Sequence, residues 1–279
     1  MAKPTTAVEC SIWRQQGETH GERVIPEELA VAFSYDGGSY AVMMATPQDL
    51  QDFALGFSLT EGVISSAADV RQLDVIEHDN GIELRMWLNE PRAAALQERR
   101  RYLAGPTGCG LCGIDSLEEA VRALPQVRSS ATFAPAQIMQ ALDALAPRQE
   151  LNRQTRAVHA AAFWHPARGL VALREDVGRH NALDKLAGAL ARDGVAVGTG
   201  MVLLTSRVSV EMVQKTAIIG APLIVAVSAP TALAVRTARA AGITLAAIAR
   251  SDGFEVFAHS QRIKETDQQI NKDTVTNVA

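Results

Sequence analysis

Short apolar runs alternating with helical segments govern the second half of this chain, and that order admits few folds. Strand-like runs cover residues 158–164, 170–173, 201–205, 223–227, 244–248 and 255–258. Between them lie helix patterns around Leu183, Leu186 and Leu190, over 209–219 and over 230–241, the first closed by Gly194 and the last by Gly242. Strands separated by helices cannot pair as tight hairpins, so the pattern predicts a layered α/β domain.

The first half reads differently. Residues 31–35 and 40–44 flank Asp36-Gly37-Gly38, a hairpin signal, and residues 73–77 and 82–88 flank Asp79-Asn80-Gly81. Between the pairs, Thr46 is expected to cap and Pro47 to open a helix with Leu50, Phe53 and Phe57 on one face, closing near Gly62. A capping box, Ser116 with Glu119, predicts a further helix over 117–124 that Pro125 stops. The expected organisation is a disordered leader over 1–25, a small α+β domain over 26–133, an α/β domain over 134–264, and a polar, disordered tail over 265–279.

With 279 residues, 47% of them hydrophobic, a sizeable core can form; a formal net charge of −4 gives no general attraction to nucleic acid or anionic membrane. Residues 1–16 lack the apolar core of a signal peptide, and no run approaches the roughly 18 to 20 apolar residues of a membrane span, so a cytoplasmic location is expected. Three cysteines in such a chain are no disulfide framework.

Two of the three lie in Gly108-Cys109-Gly110-Leu111-Cys112-Gly113, just after Arg99-Arg100-Arg101. Gly108, Gly110 and Gly113 match a dinucleotide fingerprint, but the residues before them are basic and not a hydrophobic strand. A structural zinc site would need two more ligands; no second CxxC or HxxxH exists, leaving only His159 and His180 as contributors in space. A redox dithiol gains from the helix that follows and from the arginines, both of which favour a thiolate. Glycines on both sides suit a loop that travels, as in a sulfur relay, where Cys109 accepts sulfane sulfur and Cys112 assists its release. A surface CxxC without a role is the bland alternative.

Two later segments are rich in polar groups. Residues 175–185, Glu-Asp-Val-Gly-Arg-His-Asn-Ala-Leu-Asp-Lys, read either as a solvated helix start with Asp184 and Lys185 in water, or as a polar pocket that turns Arg179 or His180 to an anion. Residues 205–215 run from a strand through Thr205-Ser206-Arg207 into a helix, a geometry that exposes backbone amides to a phosphate.

Together, the GCGLCG loop and the segments 175–185 and 206–215 resemble the FdhD family, the formate dehydrogenase accessory sulfurtransferases, over about residues 27–262. The resemblance implies a homodimeric cytoplasmic sulfurtransferase. It takes sulfur from a cysteine desulfurase and passes it to the Mo-bis(molybdopterin guanine dinucleotide) cofactor for a client, the formate dehydrogenase catalytic subunit. It implies a cytidine-deaminase-like three-layer second domain, Cys109 as the persulfide carrier with Cys112 as helper, and cofactor contacts at Ile248, Ala249, Arg250, Ser251, Asp252 and Gly253. No structural metal is implied. Members carry a glycine and a second basic residue after the first arginine of that segment, where this chain has Ser251-Asp252-Gly253, and glycines where it has Arg156-Ala157 between Thr155 and His159. His159 is followed by Ala160-Ala161, not HxE, and no CxxC lies downstream, so the deaminase zinc chemistry is not expected. The rival reading is a molybdenum-cofactor-binding chaperone that transfers no sulfur.

Overall fold

In a computed structural model, residues 2–94 and 124–265 are described. Cys109, Cys112, Arg99 to Arg101 and the capping box at Ser116 lie outside the described residues, as does the tail from residue 266. The fold is mixed α/β, and the chain divides into two compact units: Met1–Leu124 with Gln149–Ala161 and Arg174–Val195, and Pro125–Arg148 with Ala162–Leu173 and Ala196–Ala279.

In the first unit β1 (Thr5–Arg14) and β2 (Gly17–Pro26) form a two-stranded antiparallel ribbon, so most of the leader expected to be disordered is regular. Its polar composition masks a strand signal. β-branched Thr6, Val8 and Ile12 alternate along one face, and Gly17, at φ 113°, follows a two-residue turn with a backbone few other residues adopt.

A four-stranded sheet in the order β4-β3-β6-β5 follows, built from β3 (Leu29–Tyr35), β4 (Gly38–Ala45), β5 (Val70–His78) and β6 (Gly81–Leu88). The β3–β4 turn has Asp36 at φ 51° and Gly37 at φ 77°, the left-handed pair that matches strand twist. Helix α1 (Leu50–Thr60) packs its apolar stripe on this sheet: the Phe33 and Phe57 rings stack at 4.1 Å, and Phe53 meets Phe33 edge-on at 5.0 Å. On the other face Glu83 accepts from Arg85 Nε at 3.2 Å and Nη2 at 2.8 Å, from Ser34, and pairs with His78.

Those donors, Arg85 first and Ser34 next, hold the Glu83 carboxyl down at about 2. A depressed native pKa contributes stability that is present above the unfolded value of 4.5 and is lost as pH falls toward 2. Glu83→Gln should therefore flatten the fall in urea midpoint within that acid window; an unchanged slope would remove Glu83 from the acid response.

The second unit contains most of a six-stranded sheet ordered β12-β11-β10-β9-β7-β8. Its strands are β7 (His159–His165), β8 (Gly169–Asp176), β9 (Met201–Leu204), β10 (Leu223–Ala226), β11 (Thr244–Arg250) and β12 (Gly253–Ala258). The chain passes from one unit to the other within β7 and β8. Strands β9, β10 and β11 are parallel, linked by α5 (Val210–Ile219) and α6 (Ala232–Ala241), whereas β12 folds back antiparallel. Every residue of β9 and β10 is buried, as expected where both faces of a parallel sheet are covered. Helix α2 (Pro135–Asp143) places Ile138 and Ala141 in a cluster with Trp164, Leu203 and Val225. The irregular stretch before α2 is packed too: Val127 N donates to the Ala241 carbonyl at 2.9 Å, and Phe133 is buried.

Candidate functional site

Helix α3 (Glu150–Thr155) and helix α4 (Arg179–Arg192) belong to the first unit, and the polar motif 175–185 is the entrance to α4. Neither reading of that motif is complete. Asp184 and Lys185 are buried, not solvated, and Glu175 receives the first α3 amides, Leu151 N and Asn152 N, each at 2.8 Å. Asp176 is fully buried; one carboxylate oxygen accepts from Gly178 N at 2.8 Å and Asn181 Nδ2 at 2.9 Å. Its other oxygen meets Lys185 Nζ at 2.6 Å and Thr46 N at 3.1 Å.

Lys185 also donates to the Thr46 carbonyl at 2.8 Å and lies 5.5 Å from the centre of the Phe53 ring. The Thr46 hydroxyl accepts from Val177 N at 3.2 Å, and α1 starts at Leu50 and not at the expected Pro47 because Asp49, at φ 54°, is left-handed and breaks a right-handed helix running back to Pro47. Nothing in the local spacing of Thr46 and Asp176, 130 residues apart, announces the pair.

A second group of charges continues the network. Arg174 Nη2 pairs with buried Asp52 at 2.7 Å, and Arg192 pairs with the other Asp52 oxygen. Burial raises the Asp49 carboxyl against the opposing charge of Arg174, and burial lowers the Lys185 ammonium despite Asp176. Lys185→Met should cost roughly 3 to 5 kcal/mol, because it strands the Asp176 charge in the interior. A urea midpoint within error of the native protein would show that the pair adds nothing.

In the second unit, the carboxyl ends of β9, β10 and β11 meet, the usual place for ligands on an open parallel sheet. The loops after β9 and β10 are zipped together: Val208 N donates to the Ala229 carbonyl at 3.2 Å and Thr231 N to the Val208 carbonyl at 2.9 Å. Each leads into a helix start, Ser209 at α5 and Thr231 at α6, and Thr231 caps by accepting from Ala234 N at 3.2 Å. Arg207 is exposed beside them.

The segment 248–253 forms the third edge. Ile248 adopts φ 53°, a left-handed backbone that a β-branched residue rarely takes, at an irregularity between β11 and β12. Its amide donates to the Ser228 carbonyl at 3.2 Å, which ties the strained residue to the end of β10. Ala249 is buried in the apolar cluster with Trp164 and Val225, and its carbonyl accepts from Arg250 Nη1 at 2.9 Å. Arg250 Nη1 also donates to the Val227 carbonyl. This contact orients the exposed arginine, whose Nε and Nη2 make no hydrogen bond among the described residues. Ser251 and Asp252 form the exposed turn, and Gly253, at φ 154°, starts β12. One fixed arginine, a strained backbone and two helix starts suit phosphate oxygens.

Among the described residues, no three histidine, cysteine or acidic side chains are placed to hold a metal ion, and no helix is long and apolar enough to cross a membrane.

A family model described as the FdhD/NarQ family matches residues 26–264. The chain is 55% identical over 244 residues to the Sulfur carrier protein FdhD of Agrobacterium fabrum, covering 87% of this chain and 90% of that one. It is 52% identical over 255 residues to that of Cupriavidus necator, with 91% and 88% covered. A crystal structure assigned as a formate dehydrogenase accessory protein from Desulfotalea psychrophila superposes with a TM-score of 0.76 at 23% identity, covering 94% of this chain and all of that one.

Proposed function

The chain belongs to the FdhD/NarQ family, and from that membership we propose that it is a sulfurtransferase carrying persulfide sulfur on Cys109 to a molybdenum cofactor. The observation that carries the proposal is the 55% identity, over 87% of the chain, to a protein named as a sulfur carrier, in a sequence whose one CxxC is Cys109 to Cys112.

In the first step the Cys109 thiolate attacks the outer sulfur of a cysteine desulfurase's persulfide. The donor leaves as its thiolate, and Cys109 becomes a persulfide. In the second step the Cys112 thiolate attacks the inner sulfur, forms a Cys109–Cys112 disulfide and expels hydrosulfide toward the acceptor. A dithiol reductant then restores both thiols. The acceptor is Mo-bis(molybdopterin guanine dinucleotide), bound as substrate. Ile248 to Gly253 receive its phosphates, with Arg250 as the cationic contact and Ser251, Asp252 and Gly253 as the turn around it. The sulfurated cofactor serves the formate dehydrogenase catalytic subunit, and the protein acts as a cytoplasmic homodimer.

Guanosine diphosphate is a direct probe of the acceptor site. Arg250→Gln should raise its dissociation constant by about tenfold or more, and Arg250→Lys, which keeps charge without the fork, by less. Equal affinity in all three proteins would move the phosphates away from this segment. Tight cofactor binding in a protein that never takes up sulfur would favour a chaperone.

A further inference from the structure

We propose that the outer edge of β1 is where two copies of this chain meet: the two β1 strands pair antiparallel about a two-fold axis at Cys10, and the two ribbons become one four-stranded sheet. The occupant, a second copy, rests on the homodimer reading given above.

The ribbon lacks support of its own. β1 and β2 run through ten residue pairs without a bulge and form a sheet separate from the others. A two-stranded ribbon is marginal in water unless further strands or packing hold it. This one is also weakened from within, since Glu9 stands directly opposite Glu22 and β2 carries Gly17 and Gly21. β2 has α3 beside it, and among the described residues the outer edge of β1 pairs with no strand. A long, straight, unpaired edge is a template for another strand. Apolar surface is exposed on the same ribbon: Trp13 at 73%, Ile25 at 37% and Val24 at 36%.

Symmetry and charge fix the register. Residues directly opposite each other in an antiparallel pair share a face, so a two-fold axis must set one β1 residue against its own copy. An axis at Glu9 would place two carboxylates face to face, and one at Ser11 would set Val8 against Arg14 and Glu9 against Trp13. With the axis at Cys10, Val8 faces Ile12 of the second copy, Ala7 faces Trp13, Glu9 faces Ser11 and Thr6 faces Arg14, with no like charges directly opposite. Ala7 neighbours Val24 within the ribbon, so the incoming Trp13 ring lies across Ala7 toward Val24. On the other face Val8, Cys10 and Ile12 of both copies join into one apolar strip.

The interface is tested on the full-length protein by sedimentation. Ser11→Glu sets a carboxylate opposite Glu9 of the second copy, twice by symmetry, while inside its own ribbon position 11 still faces His20. The dimer dissociation constant should rise about tenfold, and Ser11→Lys, of opposite sign, should lower it. Opposed residues lie about 4.5 to 5.5 Å apart at Cα, within disulfide reach. In Cys109→Ser/Cys112→Ser, Cys10 is the one remaining thiol. Diamide, which takes up the two thiol hydrogens, should then give a covalent dimer on a non-reducing gel, lost when Cys10→Ser is added. A dimer whose dissociation constant is unchanged in Ser11→Glu, or one that forms no Cys10 bridge, overturns this interface and leaves the homodimer to another surface. A monomer at every concentration overturns both and assigns the edge to a different partner.

Discussion

Gly188→Val should leave the first unit without a stable core. Helices α1 and α4 cross where Gly56 and Gly188 face each other, with no room between the backbones for a side chain. A Cβ built on Gly188 would sit inside the Asp52 carbonyl and 2.8 Å from Gly56 N, and one on Gly56 would overlap the Asp184 carbonyl and lie 2.6 Å from Gly188 N. These are backbone atoms, so the clash is relieved only if the helices separate. Separation would unpack Phe53 and Phe57 from β3 and pull Lys185 away from Asp176. The expected loss exceeds about 3 kcal/mol, a large part of the total stability of an ordinary domain. Gly198→Ala is the control, since nothing lies within 4 Å of its Cβ and its φ is not positive. Equal urea midpoints for the Gly188 variant and the native protein would contradict the crossing.

Cys109→Ser should abolish sulfur transfer, a fall of several orders of magnitude, because a hydroxyl neither attacks a persulfide at neutral pH nor holds the transferred sulfur. Cys112→Ser should separate the two half-reactions: sulfur is still loaded on Cys109, but its release as hydrosulfide slows. Fold and cofactor affinity should be unchanged in both, which thermal melting and guanosine diphosphate binding check. Full activity in Cys109→Ser would rule out the carrier role of that thiol.

The α/β alternation of the second half was legible because its strands are continuous apolar runs, such as 201–204 and 223–226, with capped helices between them. Composition hid two features. The leader 5–26 is polar overall, so its alternation of Thr6, Val8 and Ile12 read as disorder, while Asp184 and Lys185 read as solvated because charge at a helix start commonly is. Their burial depends on Thr46, Thr60 and Phe53, which lie more than 100 residues away and leave no local signal. The helix over 50–60 was anticipated, but its start lies three residues later than expected because Asp49 takes a left-handed backbone, which the residue type only weakly signals. At the carboxyl edge of the sheet, Arg250 could be singled out from the sequence. The left-handed Ile248 could not, since an isoleucine carries no local preference for that backbone.

The central claim is that Cys109 carries sulfur. Mass spectrometry of the protein after incubation with a cysteine desulfurase and cysteine tests it most directly. The account predicts an adduct of about 32 Da, one sulfur atom, on the peptide containing Cys109, removed by a reducing thiol and missing from Cys109→Ser. An unmodified Cys109 peptide under conditions where the desulfurase itself is persulfidated would contradict it.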